Sequence, residues 1–194
     1  MIRTKGRVWV GIIAGTLLLG SCGSEPVPRP RGYFRIDMPQ RAYLSFDTTW
    51  PYAFEYPVYA RVQPDRDAGA EPYWADLFIP EFGARIHLSY KRMQGDLSPY
   101  AEDARKMAMQ HIARSTGIQE IMVARPEAGV YGIIYQIEGR EAASPLQFYL
   151  TDSSTHFLRG ALYFNQAPNN DSLAPVIAFL QEDLLHLVET MHWK

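Results

Sequence analysis

One short stretch holds the letters of hydrolytic chemistry: Asp152, Ser153, Ser154 and His156, set between Leu150 and Phe157. A serine nucleophile needs a histidine base in hydrogen-bond reach and a carboxylate to orient the ring. Residues this close along one turn do not adopt that geometry unaided. The chain also has no GxSxG elbow and no glycine-rich phosphate loop. Asp and Ser are equally the residues of tight turns, where the carboxylate accepts backbone N–H groups, and that is the expected role of Asp152. Arg159 follows on the same segment. A buried guanidinium needs a partner, so a structural pair with Glu55, Asp76 or Asp152 is expected, with a ligand clamp as its rival. The five histidines are His87, His111, His156, His186 and His192. None falls in an HxxxH or HExxH pattern, and a CxxC pair is impossible with one cysteine, so no metal and no cofactor are expected.

That cysteine, Cys22, has a different chemistry. Arg3, Lys5 and Arg7 form a basic head, and Val8 to Gly20 an apolar run of about 13 residues, short for a bilayer span and right for a signal peptide. The run ends Leu19-Gly20-Ser21-Cys22, which resembles the lipobox of bacterial lipoproteins. The resemblance implies diacylglyceryl transfer to the Cys22 thiol, cleavage before it, and acylation of the new amine. Each buried acyl methylene contributes about 0.8 kcal/mol, so two or three chains hold a protein firmly on a bilayer. With Cys22 lipidated no disulfide is possible, and the fold must stand on its core alone.

Residues 1–21 are therefore read as a lipoprotein signal peptide, 22–40 as the lipidated cysteine with a proline-rich tether, and 41–194 as a single globular α+β domain. The tether GSEPVPRP has no apolar period and is semi-extended. After it, Arg31 and Arg35 flank Tyr33 and Phe34. Arginines among aromatics make a contact patch through stacking and charge-assisted hydrogen bonds, or tuck the tether onto the body.

The elements that must position these groups are legible from periodicity. Tyr52 to Tyr59 reads as a strand, placed at an edge by Pro57. Strands over Tyr73–Ile79 and Ala84–Lys91 follow, the second alternating cleanly between apolar and polar. Ser98-Pro99 starts a helix with Ser98 as cap. Its apolar face takes in Tyr100, Ala104, Met107, Ala108, His111 and Ile112, and Gly117 ends it. Ile118–Val123, Tyr131–Ile137 and the strand from Leu146 to Leu150 are joined by short turns. In His156–Phe164, Leu158, Gly160, Leu162 and Phe164 share one face, while Phe157, Arg159, Ala161 and Tyr163 share the other. Apolar residues on both faces mark a central strand. From Asn169 on, Leu173, Val176, Ile177, Leu180, Leu184, Leu187, Val188 and Met191 recur at helical spacing and must be buried. The sum is an α+β fold: a mainly antiparallel sheet of about seven strands packed with two main helices, similar to the Mog1/PsbP-type α-β-α sandwich.

Composition narrows the class. The 194 residues are 47% apolar and 13% aromatic, with a formal charge of -2. Removing the signal with its three basic residues takes the mature chain to about -5, which argues against a nucleic-acid binder.

Five blocks together resemble the gliding-motility lipoproteins called GldD from Bacteroidetes: RPRGYFRIDMP, PYAFEYPVYA, PYWADLFIPEFGARIHLSYK, QFYLTDSSTHFLRGALYFN and NDSLAPVIAFLQEDL. The resemblance runs from Cys22 to Trp193. It implies a lipid-anchored component of the cell envelope facing the periplasm, on the inner or outer membrane, required for gliding motility and type IX protein secretion. Its partners would be the bilayer, through acylated Cys22, and other envelope proteins of that apparatus. It implies a non-catalytic assembly factor, so Cys22 alone inherits an assigned chemistry. Contact candidates are Arg31, Tyr33, Phe34 and Arg35 beside the tether and Asp152, His156 and Arg159 on the hairpin. An envelope hydrolase using Asp152 and His156, or a small-ligand-binding lipoprotein, are the alternatives. The resemblance implies that many relatives carry a cysteine near Trp50-Pro51 and another near Tyr73-Trp74; this chain has neither.

Overall fold

Alternating side chains and short polar turns build ten strands and two long helices, seen in a computed structural model that describes residues 36–194. In order these are β1 (Tyr43–Phe46), β2 (Tyr52–Pro57), β3 (Arg61–Pro64), β4 (Ala75–Ile79) and β5 (Ala84–Arg92). Next come α1 (Ser98–Met109), β6 (Gly117–Arg125), β7 (Val130–Glu138), β8 (Leu146–Thr151), β9 (His156–Phe164), α2 (Asn170–Thr190) and β10 (His192–Trp193). Seven strands form one sheet in the order β3-β4-β5-β9-β8-β7-β6, and β1-β2-β10 form a second. Every pairing is antiparallel.

The central place of β9 follows from its two apolar faces. It lies between β5 and β8. Leu158 and Leu162 enter a large core with Phe148, Ile86, Leu88 and the α2 stripe, while Phe157 joins Tyr149, Tyr135, Ala104 and Ala108 on the opposite side. The sheet is thus covered by α2 and the small sheet on one face and by α1 on the other, the α+β sandwich expected from the pattern. Val176, Leu180, Leu184, Leu187, Val188 and Met191 are all buried, as the helical spacing requires.

Three local expectations give way to packing. The strand with Pro57 is central in the small sheet rather than at its edge, because β10 pairs with β2. That pairing touches only Tyr52 and Ala53, so Pro57 pairs on one side only, with Tyr43, and its missing N–H is tolerated. The first helix stops at Met109, and Ile112, in a following 3-10 turn, is 63% exposed. Only Ala104 and Ala108 of α1 are fully buried; a helix is held only as far as there is surface beneath it. Ser98 is the first helical residue and not the cap: Leu97 holds the cap position with no capping side-chain hydrogen bond, and Asp96 Oδ1, one residue earlier, accepts from Ser98 N–H at 3.0 Å. Met38, ahead of β1, also packs on the main core.

Candidate functional site

The turn between β8 and β9 is built around Asp152. Its Oδ1 accepts from the backbone N–H of Ser154 (3.0 Å), Thr155 (2.7 Å) and His156 (2.8 Å), and Ser154 Oγ donates to Oδ2 at 3.3 Å. Burial works against the charged carboxylate, but these backbone donors outweigh it and hold the acid below its ordinary range. Ser153 sits at φ 72°, a left-handed conformation that a tight polar turn imposes. Met93 and Gly95 N–H then bond Thr155 and Ser154 carbonyls, tying the chain after β5 to this turn.

His156 does not face that carboxylate with its ring. Its Nδ1 shares a 2.7 Å hydrogen bond with Tyr90 Oη, and its ring stacks on Trp193 at 5.0 Å and 11°. Desolvation lowers its pKa, with Asp152 opposing and Arg92 reinforcing the shift. The imidazole is therefore a neutral spacer between a tyrosine and the C-terminal tryptophan. No serine–histidine–aspartate relay is assembled: Asp152 caps the turn and His156 turns away from Ser153 and Ser154 toward Tyr90.

Three residues along the strand, Arg159 projects from the opposite face, as alternation demands. The structure thus separates His156 on the α2 side from Arg159 on the α1 side. The expected carboxylate partner for Arg159 is also replaced: its Nη2 donates to Gln147 Oε1 at 2.7 Å, and among the described residues no Asp or Glu ion pair forms with it. Asp76 is engaged by Arg85 at 2.9 Å and His87 at 3.0 Å, Glu55 by His186 at 2.7 Å, and Asp152 by its own turn.

Arg159 lines a groove of about 470 Å³ between α1 and the polar face of β5 and β9. In register it lies opposite Ser89 on β5 and Tyr149 on β8. Tyr100 and Met107 of α1 and Phe157 give the groove an apolar wall, and Trp74 and Lys91 close one end. The Lys91 ammonium sits 5.5 Å from the Trp74 ring and also bonds Glu71. Beneath, Gln147 is 2% exposed and its Nε2 has no partner among the described residues.

Another cluster fastens the first strand to the body. Asp183, 2% exposed on α2, accepts from Tyr43 Oη at 3.0 Å and from Tyr59 Oη, with Arg41 Nε at 3.5 Å. Arg41 lies 4.3 Å from the Phe179 ring and pairs with Glu182 at 2.7 Å. Desolvation first, then Asp183, pushes the Tyr43 pKa up to about 12 and Tyr59 up as well. Sequence reasoning missed this clamp, though its signal was present: a carboxylate three residues after Leu180 and four before Leu187 sits on the buried stripe.

Cys22, Arg31, Tyr33, Phe34 and Arg35 lie outside the described residues. The regions around Trp50 and Tyr73 meet, their rings approaching to 5.8 Å edge to face. Among the described residues no cluster of three metal-ligating side chains occurs, and no helix is long and apolar enough to cross a membrane.

Compared with known proteins, residues 23–193 match the family model described as gliding motility lipoprotein GldD. No curated protein matches. Among solved structures, the solution structure of cyanobacterial PsbP (CyanoP) from Synechocystis sp. PCC 6803 is similar with a TM-score of 0.47 and 16% identity. That alignment covers 91% of this chain and 99% of that one.

Proposed function

This chain belongs to the gliding motility lipoprotein GldD family, which implies a role in gliding motility and an association with the membrane. On that premise we propose that it is a non-catalytic assembly factor for the motility apparatus and the type IX secretion system that accompanies it. In this reading Cys22 carries the acyl chains, the body faces the periplasm, and contacts with envelope proteins pass through the Arg31–Arg35 segment and the β8–β9 hairpin. The observation that carries the non-catalytic part is the state of the hairpin's reactive groups. Asp152 is spent on three backbone N–H groups and His156 on Tyr90 and Trp193, which is the bonding of a scaffold.

Three experiments test the reading. Deletion in the native host is expected to stop colony spreading and the release of secreted proteins; a spreading, secreting deletion strain overturns it. Complementation with Cys22→Ala is expected to leave the protein off the membrane fraction, whereas undiminished retention of that variant rejects lipid anchoring. Complementation with His156→Gln is expected to restore spreading, since no chemistry is asked of that imidazole.

A further inference from the structure

We propose that the groove between α1 and β5/β9 is a binding site for a small organic carboxylate carried on an apolar or aromatic body, with Arg159 as its anion receptor. The proposal goes beyond the reading above and does not depend on it.

Charge comes first. Arg159 is a half-buried guanidinium on a central strand whose one hydrogen-bonded partner among the described residues is the neutral Gln147 Oε1, at 2.7 Å. A planar fork with five N–H donors matches a carboxylate or phosphate edge, and a single amide oxygen leaves most of those donors unused. The uncompensated charge is felt nearby: desolvation, then Arg159 and Arg114, lower the pKa of His111. The other ionic groups of the groove set the valence. Lys91 is paired with Glu71, His87 with Asp76, and Asp103 of α1 adds a carboxylate at the wall. One cation without a counter-ion, with carboxylates around it, accepts a single negative charge and repels a second.

Gln147 acts as a positioning residue. It is 2% exposed, and leaving its buried Nε2 without a partner carries a desolvation cost. A leucine there would avoid that cost and lose the oxygen that aims the guanidinium. The rest of the groove supplies the apolar complement. Tyr100, Phe157 and Met107 form one wall and Trp74 the far end, while Phe157 packs on Tyr100 at 5.5 Å and on Tyr149 at 5.3 Å, so the wall is preformed. At about 470 Å³ the space lies in the range of small-molecule sites, enough for an amino-acid-sized body.

The test uses the full chain in detergent micelles with 15N-labelled tryptophan indoles, the Trp74 signal being assigned by Trp74→Phe. The probes are N-acetylphenylalanine and its neutral amide, which differ only in the charge offered to Arg159. The acid is expected to shift the Trp74 signal saturably and to bind about ten-fold or more tightly than the amide, the scale of one charge-assisted hydrogen-bond pair. Arg159→Gln is expected to abolish the preference for the acid, and Arg159→Lys to keep part of it. Ser89→Phe, which fills the floor without touching the charge, is expected to weaken both probes alike. Unchanged Trp50 and Trp193 signals in each variant report an intact fold. Equal affinity for acid and amide, an undiminished preference in Arg159→Gln, or no Trp74 shift with either probe overturns the assignment.

Discussion

His156 is a half-buried imidazole that makes folding sensitive to mild acid. Desolvation depresses its pKa in the folded state, and His111 is depressed in the same direction. As pH falls through the ordinary histidine value of about 6.5, the unfolded chain binds protons that the folded chain refuses, so stability present above that pH is lost below it. The thermal midpoint is expected to drop between about pH 7.5 and about pH 5.5, and the drop to shrink in His156→Gln. An identical drop in that variant excludes this imidazole as the source. Asp152 makes the complementary case. Removing a carboxylate that satisfies three backbone donors is expected to cost about 2 kcal/mol in Asp152→Ala, read as a lower midpoint in urea with an unchanged slope.

At the level of elements, the β8–β9 pair depends on one missing side chain. A Cβ on Gly160 would lie 2.2 Å from the Phe148 ring, which covers that position from the neighbouring strand. Phe148 is itself 1% exposed in the main core, so the ring has nowhere to go. Gly160→Ala is expected to destabilise by about 1–3 kcal/mol, and Phe148→Leu in the same chain to recover part of it. Additive losses in the double variant, measured by chemical denaturation, count against this contact. The edge strands differ in kind: β3 is four residues and ends in Pro64, a short strand of the sort that blunts edge-to-edge pairing.

Across the molecule, Asp183 joins the chain's entry into the body to its last helix. Tyr43 is in β1, Tyr59 precedes β3, and Arg41 lies just before β1; all converge on one carboxylate of α2. Tyr43 also stacks on His186 at 3.6 Å. In Asp183→Ala the two hydroxyls lose their buried acceptor, each loss worth about 1–3 kcal/mol. Amide exchange is expected to accelerate in β1 and at the start of β2 while β7, β8 and β9 stay protected. Uniform acceleration throughout the seven-stranded sheet means that the clamp supports the whole fold and not the first strand alone.

Seven of the ten strands, their turns, the central place of β9, the two-sided cover and the turn-capping role of Asp152 were legible in the sequence, whereas β1, β3 and β10, strands of four residues or fewer, were not. Each legible feature follows from local periodicity or from a side chain bonding its own neighbouring backbone, and such information is carried within a few residues. The family was legible for a related reason, since its matched blocks are runs of consecutive residues. Tertiary structure alone decided that Arg159 meets Gln147 instead of a carboxylate, that His156 bonds Tyr90 and stacks on Trp193, and that Asp183 gathers Arg41, Tyr43 and Tyr59. Those partners are 12, 66 and more than 120 positions apart in the chain. Which distant groups meet depends on sheet order and register, and nothing in the spacing of a single segment encodes those.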